Sequence, residues 1–165
     1  MALLTTNSEL FTKMLTTYSD MVYRIALHYL KNKANAEDIV QETFLKILEK
    51  QPCFENDNHQ RAWFIRVAVN ASKDRLRSFW YRKTVPLEEL GDKSIENNSS
   101  VLEELFLLKP NDRIVLYLYY YEQYNLKEIS GLLNTSINTI SARLQRARRK
   151  LKLILEEGDI NNEER

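Results

Sequence analysis

The sequence predicts an all-α protein built of two small helical domains joined by a flexible linker. Apolar residues recur at helical spacing along most of the chain. Only three Gly and three Pro occur among 165 residues, which favours helices over hairpin-rich sheets. A polar stretch at residues 84–100, rich in Asn, Ser, Glu and Asp, has the composition of a linker. The sequence therefore predicts domains at residues 1–83 and 101–165.

The first domain is predicted to contain three helices. Apolar residues at helical spacing place the first helix at residues 8–31 and the second at 35–50. Asn35 is the expected N-cap of the second helix. Pro52 lies just beyond residue 50 and prevents the helix from continuing. After a polar loop, a long third helix is expected from about residue 60 to residue 81.

The second domain is predicted to end in a helix-turn-helix. A short helix stops before Pro110, and a second one follows it. The segment LKEISGLLN forms the next helix and ends at Asn134, a residue type that tolerates the left-handed cap position. The last helix, at about residues 136–155, places its apolar residues on one face. These residues are Ile137, Ile140, Leu144, Ala147 and Leu151.

The net charge of +1 conceals two strongly basic helices. Residues 61–83 hold seven Lys or Arg, one acid and five of Trp, Phe and Tyr. Residues 138–152 hold six Lys or Arg and no acid. Basic charge concentrated on two helices is typical of a protein that binds nucleic acid at two places.

Several other classes of protein are disfavoured by what the sequence lacks. The single cysteine, Cys53, leaves no internal disulfide and fits a reducing cytoplasm. Cys53, His28 and His59 do not have the spacing of metal ligands. The sequence has no Gly-rich phosphate loop, nucleophile elbow or pair of catalytic carboxylates. We therefore expect no enzymatic activity, no cofactor, no bound metal and no membrane insertion.

The last helix has polar and basic residues on the side opposite its apolar face. The major groove of DNA admits one helix, which must bury one side and present donors on the other. Residues near the helix start suit base edges, and the cations further along suit phosphates. These are Thr139, Ser141, Ala142, Gln145 and Arg146, then Arg143, Arg148, Arg149 and Lys150. The alternative is a solvated basic face on a bundle helix.

Aromatic residues accompany the cations of the third helix. Unpaired bases stack on aromatic rings, so this combination favours a single-stranded ligand. Trp63 and Phe64 are adjacent, however, so at most one of them faces outward and some of these rings belong to the core. The second helix carries Asp38, Gln41 and Glu42 on one face, which indicates either a solvated face or a protein partner.

Three segments occur together in an order typical of one known family. They are AEDIVQETFLKIL at residues 36–48, WFIRVAVNASKDRLR at 63–77 and NLKEISGLLNTSINTISARLQRARRKLK at 125–152. The chain resembles the extracytoplasmic-function (ECF) class of sigma-70-type RNA polymerase sigma factors. The three segments resemble, in order, the polymerase-binding motif, the helix that reads the −10 promoter element and the helix-turn-helix that reads the −35 element.

The resemblance implies an alternative sigma factor that directs promoter-specific initiation and aids melting of the −10 element. The implied partners are promoter DNA, the β′ coiled coil and β flap of core RNA polymerase, and an anti-sigma factor. Polymerase binding is expected of Asp38, Gln41, Glu42 and Phe44. Contact with −10 DNA is expected of Phe54, Trp63, Arg66, Asn70, Lys73 and Arg77. Contact with −35 DNA is expected of Glu128, Thr139, Ser141, Ala142, Arg143, Gln145, Arg146 and Arg149.

Two other functions remain open on the sequence alone. A stand-alone helix-turn-helix regulator would bind duplex DNA by itself, usually as a dimer on a palindrome. A structural or RNA-binding helical protein would leave the polar face formed by Asp38, Gln41 and Glu42 without a purpose.

Overall fold

The computed structural model of the chain describes residues 2–82 and 100–163, with side chains described for residues 7–82 and 103–158. The chain divides into two compact units, Met1–Asp92 and Lys93–Arg165. Every regular element in the described part is helical, so the prediction of two all-α domains is confirmed. Of the predicted linker, residues 84–99 lie outside the described residues, and the limits drawn for it stay a prediction.

Residues 2–82, the described part of unit 1, form a bundle of three helices. They are α1 at Ala2–Leu30, α2 at Lys33–Lys50 and α3 at Asp57–Arg82. Helix α1 packs against both α2 and α3, which also contact each other. The apolar side chains that meet between them are fully buried, because burial of apolar surface drives this packing. They include Val22, Ile25, Ile39, Phe64, Ile65 and Val69.

Four aromatic rings form one end-to-end cluster in the core of unit 1. Phe64 stacks on Tyr18 with 4.5 Å between ring centroids, and Phe44 lies 5.3 Å from Phe64. Phe11 meets Phe44 edge-on at 5.9 Å. Of the two adjacent aromatic residues on α3, Phe64 belongs to the core, whereas Trp63 is only half-buried.

All three helix starts in unit 1 differ from the predicted ones, and α1 begins at Ala2 rather than at residue 8. The N-cap of α2 is Asn32, whose side-chain oxygen accepts a hydrogen bond from the Asn35 N–H at 2.8 Å, so the prediction of Asn35 as the cap was wrong. Helix α3 begins earlier than predicted because Asn56 accepts from the His59 N–H at 2.8 Å. Both caps satisfy amide groups that would otherwise lack partners.

The described part of unit 2, residues 100–163, holds four α-helices. They are α4 at Ser100–Leu105, α5 at Pro110–Leu116, α6 at Leu126–Leu133 and α7 at Ile137–Glu163. A π-helical turn, Tyr117–Tyr121, continues α5 and was not predicted. Helix α7 packs against α4, α5 and α6, and it extends well beyond the predicted end at residue 155.

The predicted helix-turn-helix is formed by α6 and α7. Asn125 and Glu128 form a reciprocal capping box at the start of α6. Asn134 ends α6 in the left-handed conformation, with φ 48°, as predicted. The side chain of Ser136 then accepts from the Thr139 N–H at 3.2 Å and starts α7. Ile129 and Ile140 are fully buried and belong to the core of unit 2.

Candidate nucleic-acid and protein interfaces

The outer face of α2 combines acids with exposed leucines. We call Asp38, Gln41, Glu42, Leu45 and Leu48 the α2 outer face. Leu45 and Leu48 are 55% and 53% exposed, although they are among the apolar residues whose spacing predicts this helix. Residues 38, 41, 45 and 48 are spaced by three, four and three, so they follow one line along the helix. This spacing was the available signal for the two leucines that sequence reasoning missed.

The structure corrects the expectation for Phe44. Its side chain is only 5% exposed, and its ring lies against Phe11 and Phe64 in the core. A direct contact between Phe44 and a partner would therefore require unit 1 to open. Phe44 supports the α2 outer face from below rather than forming part of it.

A cation of α3 reaches the acids of the α2 outer face. The Arg75 guanidinium lies 3.5 Å from the Asp38 carboxylate and 3.9 Å from that of Glu42. Glu42 also pairs with Lys46 at 3.0 Å, one turn further along α2. Long ion pairs between partly exposed groups contribute little to stability. The acids are thus held in place yet remain accessible to a partner.

Helix α3 presents a polar stripe along its solvent side. Arg66, Asn70 and Arg77 are exposed, and at 100° per residue they lie within about 40° of one another around the helix. Trp63 and Lys73 are half-buried beside them, within about 80° of Asn70. We call these five residues the α3 outer stripe. The structure thus brings together every −10 candidate that lies on α3.

Phe54 belongs to an aromatic group at the start of α3. Its ring meets Trp63 edge-on at 5.8 Å and His59 at 5.7 Å. The Nδ1 atom of His59 accepts a hydrogen bond from the Glu55 N–H at 3.3 Å, which fixes the loop beside Phe54. Trp63 precedes Asn70 by two turns, or about 10 Å along the helix. Sequence reasoning missed His59, since a lone histidine in a polar loop carries no distinctive pattern.

Three cations of α7 are engaged inside unit 2. Arg146 donates two hydrogen bonds to Asp112 of α5, at 2.9 and 2.6 Å, and Asp112 is only 3% exposed. Arg148 lies over the rings of Tyr119 and Tyr120 and donates to the Tyr120 hydroxyl. Lys150 donates to the carbonyl oxygen of Leu107 at 3.0 Å. These contacts fasten α7 to the rest of its unit.

The expectation of a base contact by Arg146 stays a prediction, and this pairing constrains it. The hydrogen bonds from Arg146 to Asp112, followed by the charge of that carboxylate, raise the pKa of Arg146. Asp112 takes the Nε–H and one Nη2–H of Arg146, so three N–H groups of the guanidinium remain, and a base contact that displaced Asp112 would leave that buried carboxylate without its cation. The pairing therefore holds α7 against α5, and Arg146 can contact DNA only from the position that this pairing sets.

The other −35 candidates divide by exposure. Thr139, Ala142, Gln145 and Arg149 are exposed on α7, whereas Ser141 and Arg143 are half-buried. Glu128 is exposed on α6, but its carboxylate accepts from the Asn125 N–H at 2.8 Å in the capping box. A DNA contact by Glu128 would have to share that carboxylate with the cap.

Two negative findings apply to the described part of the chain. No helix there is long and apolar enough to cross a membrane. No group of three or more His, Cys, Asp and Glu side chains in that part is placed to hold a metal ion.

Comparisons with known proteins identify both units. Residues 14–81 match the model of sigma-70 region 2, and residues 100–151 match that of sigma-70 region 4. SigM of Bacillus subtilis, an ECF RNA polymerase sigma factor, is 30% identical over 88% of this chain and 94% of its own length. The RNA polymerase sigma factor SigV of the same organism is 26% identical over 94% and 97%.

The fold is similar to that of a solved sigma factor. The structure of RpoE in complex with the anti-sigma factor NepR, from Bartonella quintana, matches with a TM-score of 0.68 at 22% identity. That match covers 88% of this chain and 96% of the RpoE chain. With regions 2 and 4 in order and an ECF relative matched along almost its whole length, the chain belongs to the ECF class of sigma-70 RNA polymerase sigma factors, which direct promoter-specific transcription initiation.

Proposed function

We propose that three surfaces divide the work of this sigma factor: the α2 outer face binds core RNA polymerase, the α3 outer stripe reads the −10 element, and α7 reads the −35 element. The observation that carries the proposal is the contrast within unit 1. Helix α2 exposes acids, which repel the phosphates of DNA, and leucines, which do not bind phosphates. Its neighbour α3 exposes cations beside the half-buried Trp63.

The α2 outer face suits a helical partner. Leu45 and Leu48 offer apolar area in the middle of the face, and Asp38 and Gln41 offer hydrogen-bond acceptors at one end. A desolvated apolar centre with a polar rim is the usual anatomy of a specific protein interface. We assign the β′ coiled coil of core polymerase to this face. The β flap is assigned to unit 2 on the family resemblance.

The aromatic group at the start of α3 suits a base removed from the duplex. Phe54 and Trp63 lie edge to face, so one ring can stack on a base while the other closes the side of the pocket. Asn70, two turns further on, carries both a donor and an acceptor for a base edge. Arg66, Lys73 and Arg77 lie along the same side of the helix and suit the phosphates on either side.

Helix α7 is placed to enter the major groove of the −35 element. Its first turns expose Thr139, Ala142 and Gln145, which suit base edges and the thymine methyl group. Arg143 and Arg149 suit the flanking phosphates, and Ser141 and Glu128 lie at the margin of this surface. Arg146 acts indirectly, because its hydrogen bonds to Asp112 fix the position of α7 relative to α5.

The remaining assignments follow from these roles. A factor that works by binding and by stacking on bases needs no reaction of its own, so we propose that the chain is not an enzyme. Its partners, polymerase and promoter DNA, place it in the cytoplasm. An anti-sigma factor is proposed as a further partner, because the similar RpoE chain was solved with one.

Run-off transcription on fragmented genomic DNA tests the proposed function. Core polymerase plus this chain should initiate at a small set of promoters that core polymerase alone ignores. The Asp38→Arg variant should lose this activity, and the matched Asp20→Arg variant, changed at an exposed acid of α1, should keep it. A chain that binds duplex DNA tightly without polymerase and starts no transcripts with it would instead be a stand-alone regulator.

A further inference from the structure

Two large aromatic side chains are exposed at the end of α3. Trp80 is 68% exposed and Tyr81 is 87% exposed. They follow Phe79, which is half-buried and lines a shallow cavity with Glu42 and Ala71. Only one ring of this aromatic run thus packs inward. The −10 surface assigned above ends at Arg77, so neither exposed ring has a task within it.

Helix geometry places both rings beside the α3 outer stripe. At 100° per residue, Arg77 and Tyr81 lie within about 20° of the direction of Asn70, and Trp80 lies about 80° from it. Trp80 and Tyr81 follow Arg77 by three and four residues, so Arg77 is the surface neighbour of both. The stripe that begins at Trp63 therefore continues, on the same side of the helix, to the last turn of α3.

The charges around the two rings point to a polyanion. Residues 75–82 contain three arginines and no acid. Of these arginines, Arg75 is paired with Asp38 and Glu42 of α2. The nearest acid along the chain, Asp74, is paired with Arg77 at 3.1 Å, and both side chains are about 70% exposed. Such a pair is weak enough to exchange for a phosphate. Exposed aromatic rings among cations form the usual platform for the bases of a nucleic-acid strand.

We propose that Trp80 and Tyr81, on either side of Arg77, form a second DNA contact on α3, separate from the pocket that holds the melted base. This inference rests on the −10 role proposed for α3 and extends it. Trp80 and Tyr81 lie 10 and 11 residues beyond Asn70, which is about 15–17 Å along the helix. With 3.4 Å per nucleotide, the contact falls four to five nucleotides from the base at Asn70. A base there stacks on an aromatic ring, and Arg77 holds its phosphate.

The test uses holoenzyme and fork-junction DNA from a promoter found by run-off transcription. Trp80→Leu and Tyr81→Leu remove a ring but keep an apolar side chain, and Trp80→Phe keeps a ring. The leucine variants should bind the full probe at least about fivefold more weakly, and Trp80→Phe should bind nearly as the unchanged chain does. The difference in affinity between the leucine variants and the unchanged chain should vanish on shortened probes that lack the nucleotides four to five positions from the base at Asn70.

An abasic site distinguishes stacking from contact with the sugar–phosphate backbone. If a base stacks on Trp80, then removing the base at the proposed position should make the unchanged chain and the Trp80→Leu variant bind the probe equally. A difference that survives the abasic site overturns the stacking. Forks that carry this position as duplex and as single strand show in which form the contact is made.

Three results would overturn the second contact. One is equal binding of the full probe by the leucine variants and the unchanged chain; a lowered unfolding temperature with that result means that the rings pack on protein. Another is a loss that persists on every shortened probe. The third is an equal loss for Trp80→Phe and Trp80→Leu. Asn70→Ala is the separate control: if it binds all probes normally, the −10 role of α3 fails, whatever the two aromatic residues do.

Discussion

Loss of Arg146 is expected to loosen the −35 domain rather than to blur its reading of sequence. The carboxylate of Asp112 is almost completely buried, at 5% side-chain exposure, and Arg146 is its bidentate partner. Arg146→Ala removes two hydrogen bonds at 2.9 and 2.6 Å and leaves that carboxylate without a cation. The effect should therefore appear as instability of α5 and α7 in the absence of DNA.

The size of the effect follows from the exposure of the two partners. Breaking a fully buried ion pair costs about 3–5 kcal/mol, whereas a surface pair is worth about 0–1 kcal/mol. Here one partner is buried and Arg146 is 55% exposed. We expect about 2 kcal/mol for Arg146→Ala, between these limits. Asp112→Ala should be less harmful, because it leaves an arginine that reaches water.

Hydrogen exchange measured by mass spectrometry resolves the two units of the intact chain. About 2 kcal/mol corresponds to roughly 30-fold faster exchange of the protected amides of α5 and α7, with the amides of α1–α3 unchanged. Arg149→Ala is the matched control, an exposed arginine on the same helix, and should leave exchange unchanged. Unchanged exchange in Arg146→Ala, combined with relaxed preference for −35 bases, would refute this reasoning. It would mean that Arg146 contacts a base.

Three further predictions concern unit 1. Asp38→Arg and Leu48→Ala should each weaken binding to core polymerase, the charge reversal by at least about tenfold, with unchanged circular dichroism; unchanged affinity in a pull-down titration would rule out the α2 outer face. Phe54→Ala and Asn70→Ala should slow promoter opening by about tenfold while sparing the closed complex; normal permanganate reactivity of unpaired thymines in both variants would contradict this. Burial, assisted by the charge of Asp57, raises the pKa of Tyr18, so the folded state binds this proton more tightly than the unfolded chain and stability should fall as pH rises above about 10. Burial also raises the pKa of Tyr23, so Tyr18→Phe should reduce the alkaline loss without abolishing it, and an unchanged unfolding profile would exclude Tyr18 as a contributor.

The helices and their order could be predicted because apolar periodicity is a local signal. The same signal could not separate Phe44 from Leu45. Both are large apolar residues, and although Leu45 is in register with Asp38 and Gln41, it is the packing of α1 and α3 that covers Phe44 and leaves Leu45 exposed. Asn32 and Asn35 are equally good caps by type, and the choice depends on where α1 ends.

The role of Arg146 lay beyond sequence reasoning for a different reason. Its partner, Asp112, is 34 residues away on another helix, and no pattern along the chain joins them. The sequence therefore predicts DNA contacts for Arg146, Arg148 and Lys150, although all three bind inside the unit. The π-helical turn at Tyr117–Tyr121 likewise follows from packing, because five residues of YLYYY fit an α-helix equally well by propensity.

The measurement that tests the central claim most directly is promoter binding by the intact chain, with and without core polymerase, at physiological salt. The two helices proposed to read DNA lie in separate units, and residues 84–104 between them carry six acids and one lysine. Bivalent binding needs a geometry that lets both readers engage together, and polymerase supplies it by anchoring each unit. We predict a mobility shift on a cognate promoter only when core enzyme is present. Tight, sequence-specific binding by the chain alone would contradict this account of how it works.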